Sequence, residues 1–86
     1  MQIERASKWW RAHRDKAPDA FDDELAEALE EIRSSTNVGM SVRARRVGVR
    51  SVWLDRIGYF LYYRVVDDIV IVVAIWHAAR GSRPKL

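Results

Sequence analysis

The sequence predicts an α+β domain in which a two-helix hairpin packs on a three-stranded antiparallel sheet. Three observations predict it. Apolar residues recur at three- and four-residue steps through the first 34 positions, the period then changes to two, and two β-branched and aromatic runs follow with only Asp67-Asp68 between them. A sheet with a hydrophobic face needs a cover, and two striped helices supply one.

The first helix is expected over about 3–15, because Ile3, Ala6 and Trp10 share one face while Arg5, Lys8, Arg11 and Arg14 fall largely on others. Pro18 ends this segment and suits the first turn of the next, so a tight connection joins the helices. The second helix is expected over about 18–34. Asp19, Asp22, Asp23 and Glu24 crowd its positive end, and Phe21, Leu25, Ala28, Leu29 and Ile32 form an unbroken stripe. The run from Ser34 to Gly39 is rich in turn formers and closes it. A strand over about 43–54 follows from arginines alternating with β-branched residues, with one face buried and the other basic. Asp55 to Gly58 make a turn, a strand over about 58–66 is aromatic and β-branched, and Asp67-Asp68 turn into a last strand over about 69–77, read as buried on both faces. The basic tail 78–86 is expected to be mobile or ordered only by a partner.

With 86 residues, 49% of them hydrophobic, the chain reads as a single domain spanning 1–86. It contains no cysteine, which removes disulfides, thiolate metal sites and thiol nucleophiles. The longest apolar stretch, Ile69 to Trp76, is far short of the roughly 20 residues of a membrane-spanning helix, and the N-terminus has no apolar signal core, so a cytoplasmic protein with no membrane association is expected. The net charge of +3 divides unevenly: residues 1–40 carry −3 and residues 41–86 carry +6. A basic surface made by the second part would attract nucleic acid or an acidic protein segment; the plainer alternative is a set of solvated arginines.

Specific residues carry a resemblance. The run Trp9-Trp10-Arg11-Ala12-His13-Arg14, then Ala17-Pro18, Phe21, Glu24-Leu25 and Ala28-Leu29, resembles the helical hairpin of ParE-type toxins of the RelE/ParE superfamily. So do Tyr62-Tyr63-Arg64-Val65, the acidic turn, and an apolar strand ending in Trp76-His77 before Arg80. Family members usually begin with a short strand, which this sequence lacks; a sheet edge left open in this way would invite self-association or pairing with another chain. The resemblance implies the toxin of a type II toxin–antitoxin system, of the plasmid-stabilisation kind, with an acidic antitoxin whose tail wraps the toxin. For the ParE branch it implies binding to DNA gyrase. Two alternatives stand beside this: a ribosome-dependent messenger-RNA endoribonuclease of the RelE kind, and a non-toxic member that keeps only antitoxin binding.

The nuclease branch uses an arginine on the strand equivalent to Tyr59–Val65, and by the Tyr-Tyr-Arg-Val register Phe60 occupies its place. No tyrosine lies beyond Tyr63. The expectation is therefore a binding protein with no catalytic residue; if it were a nuclease, His77 and Arg80 would carry the chemistry. His77 otherwise reads as a strand-end imidazole held by backbone, and His13 as a surface or packing residue. Two unclustered histidines give no reason to expect a metal, and no cofactor is expected. Partner contacts are assigned to Arg43, Arg45, Arg46, Arg50, Arg64, His77, Arg80 and Arg83, where guanidinium forks suit carboxylate or phosphate; Lys85 adds to the tail's charge. Tyr62 and Tyr63 fall on opposite strand faces, so at most one joins the helix-facing core. Trp9, Trp10, Trp53 and Trp76 are read as mainly core, and any left exposed would mark a partner surface.

Overall fold

The structure, a computed structural model, describes residues 2–14, 16–81, 84 and 86, with only the backbone described at position 2. Two helices, α1 (Gln2–His13) and α2 (Ala20–Ser34), cover one face of an antiparallel sheet, as the change of period predicts. The sheet comprises β1 (Met40–Ser41), β2 (Arg50–Leu54), β3 (Tyr59–Val66) and β4 (Ile69–His77), in the order β1-β2-β3-β4.

The helix-facing core is built by alternation on the strands and by the stripe on α2. Phe21, Leu25, Ala28 and Ile32 are buried against Leu54, Tyr59, Leu61, Tyr63 and Ile75, with Trp10 closing the α1 end. Polar ties hold the helices in place. Asp22 of α2 accepts from Ser7 Oγ (2.7 Å) and from Arg11 (2.7 Å), and Trp10 Nε1 donates to the Ala17 carbonyl (2.7 Å), which sets the turn between the helices. Glu24 fixes α2 to the β2–β3 turn, its carboxylate accepting from the backbone N–H of Ile57 (3.0 Å) and of Arg56 (3.2 Å). These are turn donors with no ladder partner, so the carboxylate does for the turn what a cap does for a helix.

The expected strand over 43–54 is not one strand. Its second half is β2, whereas residues 42–49 form a loop closed by Val42 N–H donating to the Val49 carbonyl (2.9 Å), with Gly48 at φ 80°. The chain then pairs β2 with the short β1, Met40 opposite Ser51, giving a fourth strand not read from the sequence. Alternation persists through the loop for another reason: Val42, Ala44 and Val49 turn onto the outer sheet face, where they pack with Phe60, Tyr62, Ala74 and Trp76. The outer face beside β2 is thus apolar and covered, and the basic strand face is a basic loop.

Two further expectations change. β4 pairs only with β3 among the described residues, so it is an edge strand; Ala74 and Ile75 are buried, but Ile69 (63% exposed) and Ile71 (42%) are not. Tyr62 opposes Ala74 and Tyr63 opposes Val72, which leaves Val73 as an extra residue, a β-bulge. Before it Val70 and Val72 face the helices; after it Ile75 does, while Val73, Ala74 and Trp76 face outward. The tail begins as a 3-10 turn, Ala78–Arg80, and Leu86 packs on the outer cluster.

Candidate functional site

β4 ends opposite the start of β3, with Tyr59 paired to His77. Since Tyr59 faces the helices, so does His77, and it meets the exposed part of α1. Here the helices leave an open cleft of about 640 Å3, lined chiefly by Arg5 and Trp9 from α1, Tyr59 from β3, His77 from β4 and Arg80 from the turn that follows.

The rings in the cleft hold one another. Tyr59 and His77 meet edge to face at 4.8 Å between centroids, and Trp9 lies 6.1 Å from His77. Trp9 is also stacked by His13 at 4.5 Å, an i,i+4 contact along α1 fixed by a bond between His13 Nδ1 and the Trp9 carbonyl (2.8 Å). A carbonyl only accepts, so His13 Nδ1 carries a proton. At His77 the logic reverses. The backbone N–H of Ala79 donates to Nδ1 (3.1 Å), so that nitrogen holds a lone pair and the ring's proton sits on Nε2, which remains a donor. Burial pushes the Tyr59 hydroxyl above its ordinary pKa, and the positive charges of Arg80 and Arg14 pull against that rise. Arg80 is held in place over the Trp76 ring, 4.4 Å from its centroid.

Of the residues assigned from the sequence, His77 and Arg80 are brought together in this cleft. The others are not. Arg50 reaches the loop after α2, donating to the Gly39 carbonyl (2.6 Å), which makes it a brace of that loop. Arg43, Arg45 and Arg46 stand exposed on the 42–49 loop, and Arg43 flanks a second groove with Phe60, Tyr62 and Trp76 on the outer face. Arg64 lies between the helix-facing Tyr63 and Val65 and therefore projects outward; its Nε is buried without a hydrogen-bond partner among the described residues. Arg83 and Lys85 lie outside the described residues. The single basic surface is therefore two separate basic regions, a loop and a cleft.

Arg5, Trp9 and Tyr59 were not singled out as site residues by sequence. Their signal is the i,i+4 step between Arg5 and Trp9 on a helix already read as amphipathic, together with the Tyr59–His77 register, which no local pattern supplies. Trp9 (40% exposed) and Trp53 (45%) also lie outside the core, correcting their reading as packing residues. Trp10 alone of the four is buried. Phe60 packs outward against Trp53, with ring centroids 4.7 Å apart, and 6.2 Å from Tyr62. Among the described residues no cluster of three or more His, Cys, Asp or Glu is placed to hold a metal, and no helix is long and apolar enough to cross a membrane.

No curated protein and no solved structure matches the chain. A family profile does. The family is described as the ParE toxin of type II toxin-antitoxin system, parDE, and the match runs over residues 2–81, from the start of α1 through the cleft to the turn after β4. Nearly the whole chain is covered, and the hairpin, the Tyr-Tyr-Arg-Val strand and the Trp76-His77 strand end all fall inside the match. The chain belongs to the ParE toxin family of type II toxin–antitoxin systems.

Proposed function

We propose that this toxin acts in the cytoplasm by binding DNA gyrase without cleaving a substrate, and that a cognate acidic antitoxin neutralises it. The observation that carries the reading is Phe60. It sits on the outer sheet face among Trp53, Tyr62 and Trp76, so the position where the nuclease branch uses an arginine brings a ring and no charge to a scissile phosphate. Of these rings Trp53 is exposed, Phe60 and Trp76 are half-buried and Tyr62 is buried, and aromatics flanked by arginines are the composition of protein-binding surfaces. The basic 42–49 loop, together with Arg64, whose Nε has no hydrogen-bond partner among the described residues, suits the carboxylates of a wrapping antitoxin.

Purified toxin in excess is expected to inhibit supercoiling by gyrase in a plasmid assay, and the product of the adjacent gene to restore it. Normal supercoiling at every toxin concentration would defeat the proposal. A second reading, ribosome-dependent messenger-RNA cleavage, is favoured by His77 and Arg80 sharing a cleft with Arg5 and Tyr59. It requires transcript cleavage that disappears in His77→Ala. Growth unaffected by expression without antitoxin would leave only a non-toxic antitoxin-binding chain.

A further inference from the structure

We propose that the cleft between α1 and the end of β4 binds a nucleoside phosphate through its terminal phosphate monoester, with the base against Trp9. This goes beyond the gyrase reading and does not depend on it. The donors come first. Arg5 and Arg80 line the cleft and supply positive charge, His77 presents Nε2–H because Ala79 occupies Nδ1, and the Tyr59 hydroxyl lies within the field of Arg80. No carboxylate lines the cleft among the described residues, and Arg5 and the Tyr59 hydroxyl have no hydrogen-bond partner among them. Arg80 rests over the Trp76 ring at the rim of the cleft, a contact that uses no N–H donor of the guanidinium.

Such a set is matched to a dianion. A phosphate monoester carries close to two charges near neutral pH and three acceptor oxygens, while an internal phosphodiester carries one charge and is flanked by sugar on both sides. The second component is the ring wall. Trp9 is stiffened on one side by His13, is 40% exposed, and lines the same cleft as the donors. A preorganised indole beside a phosphate site is what a planar base stacks on. The cleft's volume, about 640 Å3, falls within the range of small-molecule sites, large for inorganic phosphate and sufficient for a mononucleotide. Free nucleotide and the 5′-phosphorylated end of a strand share this chemistry.

Isothermal titration of the full chain tests the proposal with adenosine monophosphate, inorganic phosphate, a short oligonucleotide with a 5′ phosphate, the same oligonucleotide with a 5′ hydroxyl, and a glutamate-rich peptide. Saturable binding of adenosine monophosphate, tighter than inorganic phosphate, is expected. Arg5→Gln and Arg80→Gln, both at exposed positions, should each weaken it about tenfold. Trp9→Ala should weaken nucleotide binding far more than phosphate binding, bringing the two affinities together. Binding of the 5′-phosphorylated strand alone would assign the site to strand ends, and binding of the mononucleotide alone to free nucleotide. The proposal is overturned if neither binds, if the 5′-hydroxyl strand binds as well as the phosphorylated one, if the glutamate peptide binds more tightly than the nucleotide, or if the arginine variants bind unchanged. Circular dichroism of each variant confirms that the fold is retained.

Discussion

The hydroxyl of Tyr63, at the centre of the sheet, accepts from the backbone N–H of Gly39 (3.0 Å) and donates to the Thr36 carbonyl (2.8 Å). One buried side chain thus satisfies the backbone of the loop that leaves α2 and enters β1. Gly39 sits so close that a Cβ there would stand 2.8 Å from Tyr63 Cε1 and 2.9 Å from the Ser51 carbonyl oxygen. Tyr63→Phe is expected to destabilise the fold by about 1–3 kcal/mol, because the Gly39 N–H loses its acceptor in a buried place. Gly39→Ala should cost a similar amount through overpacking. Combining them should give no rescue, since Cε1 and the Ser51 carbonyl remain. Urea denaturation of the three variants measures this, and a double variant more stable than Gly39→Ala would refute the packing argument.

Asp22 gives the fold a pH dependence. The hydrogen bond from Arg11, then the one from Ser7, hold its carboxyl below the ordinary carboxylate pKa. A group whose pKa is lower in the folded state stabilises that state above its unfolded pKa, and the contribution is lost as pH falls through the folded value. Wild type should therefore be more stable than Asp22→Asn at neutral pH, with the gap closing below the usual carboxylate range. Solvent screening keeps the gap small, as both side chains are more than 40% exposed. Thermal melts of both proteins across acidic pH check the convergence; a gap that widens on acidification would contradict it.

The β3–β4 hairpin turns through two aspartates at positive φ, Asp67 at 50° and Asp68 at 64°. Both conformations are those of a type I′ turn, which Asn-Gly adopts with least strain. Replacing the pair by Asp67→Asn with Asp68→Gly is expected to stabilise the domain by about 0.5–1 kcal/mol, seen as a rise in Tm of about 4 °C. An unchanged or lower Tm would show that the aspartates are held by something other than turn geometry.

An edge strand that carries no charge or proline over Ile69–His77, with Ile69 and Ile71 exposed, is a template for further pairing. Ile71→Lys should reduce self-association at high concentration and aggregation after heating, with little change in Tm. Light scattering at matched concentrations reads the difference. Equal scattering from both proteins would place self-association elsewhere.

The α2 stripe was fully legible, because Phe21, Leu25, Ala28 and Ile32 meet one surface at one period, and all four are buried. The 43–54 segment was misread because a loop arm lying on a sheet obeys the same alternation as a strand within it. Gly48, at φ 80°, was the visible mark of the turn. His77 and Arg80 stood out through the family resemblance. Arg5, Trp9 and Tyr59 did not, because what joins Tyr59 to His77 is strand register across a hairpin, and what joins Arg5 and Trp9 to it is helix packing across about 70 residues of sequence.

Val73 keeps the end of β4 in phase with β3. Beyond this bulge, every β4 side chain lies on the opposite face from the one that simple alternation would assign, and this is why His77 enters the cleft while Trp76 joins the outer cluster. Removing that one residue, with all others kept, would leave Tyr62 opposite Ala74 and Tyr59 opposite His77, so the same side chains would reach the cleft. Straightening the bulge with its residue kept would instead slip the strand end by one and exchange the two, with an indole in the cleft and an imidazole beneath Arg80. The bulge is therefore a tolerance built into the strand: it absorbs one residue of length and keeps the chemistry at the strand end in phase.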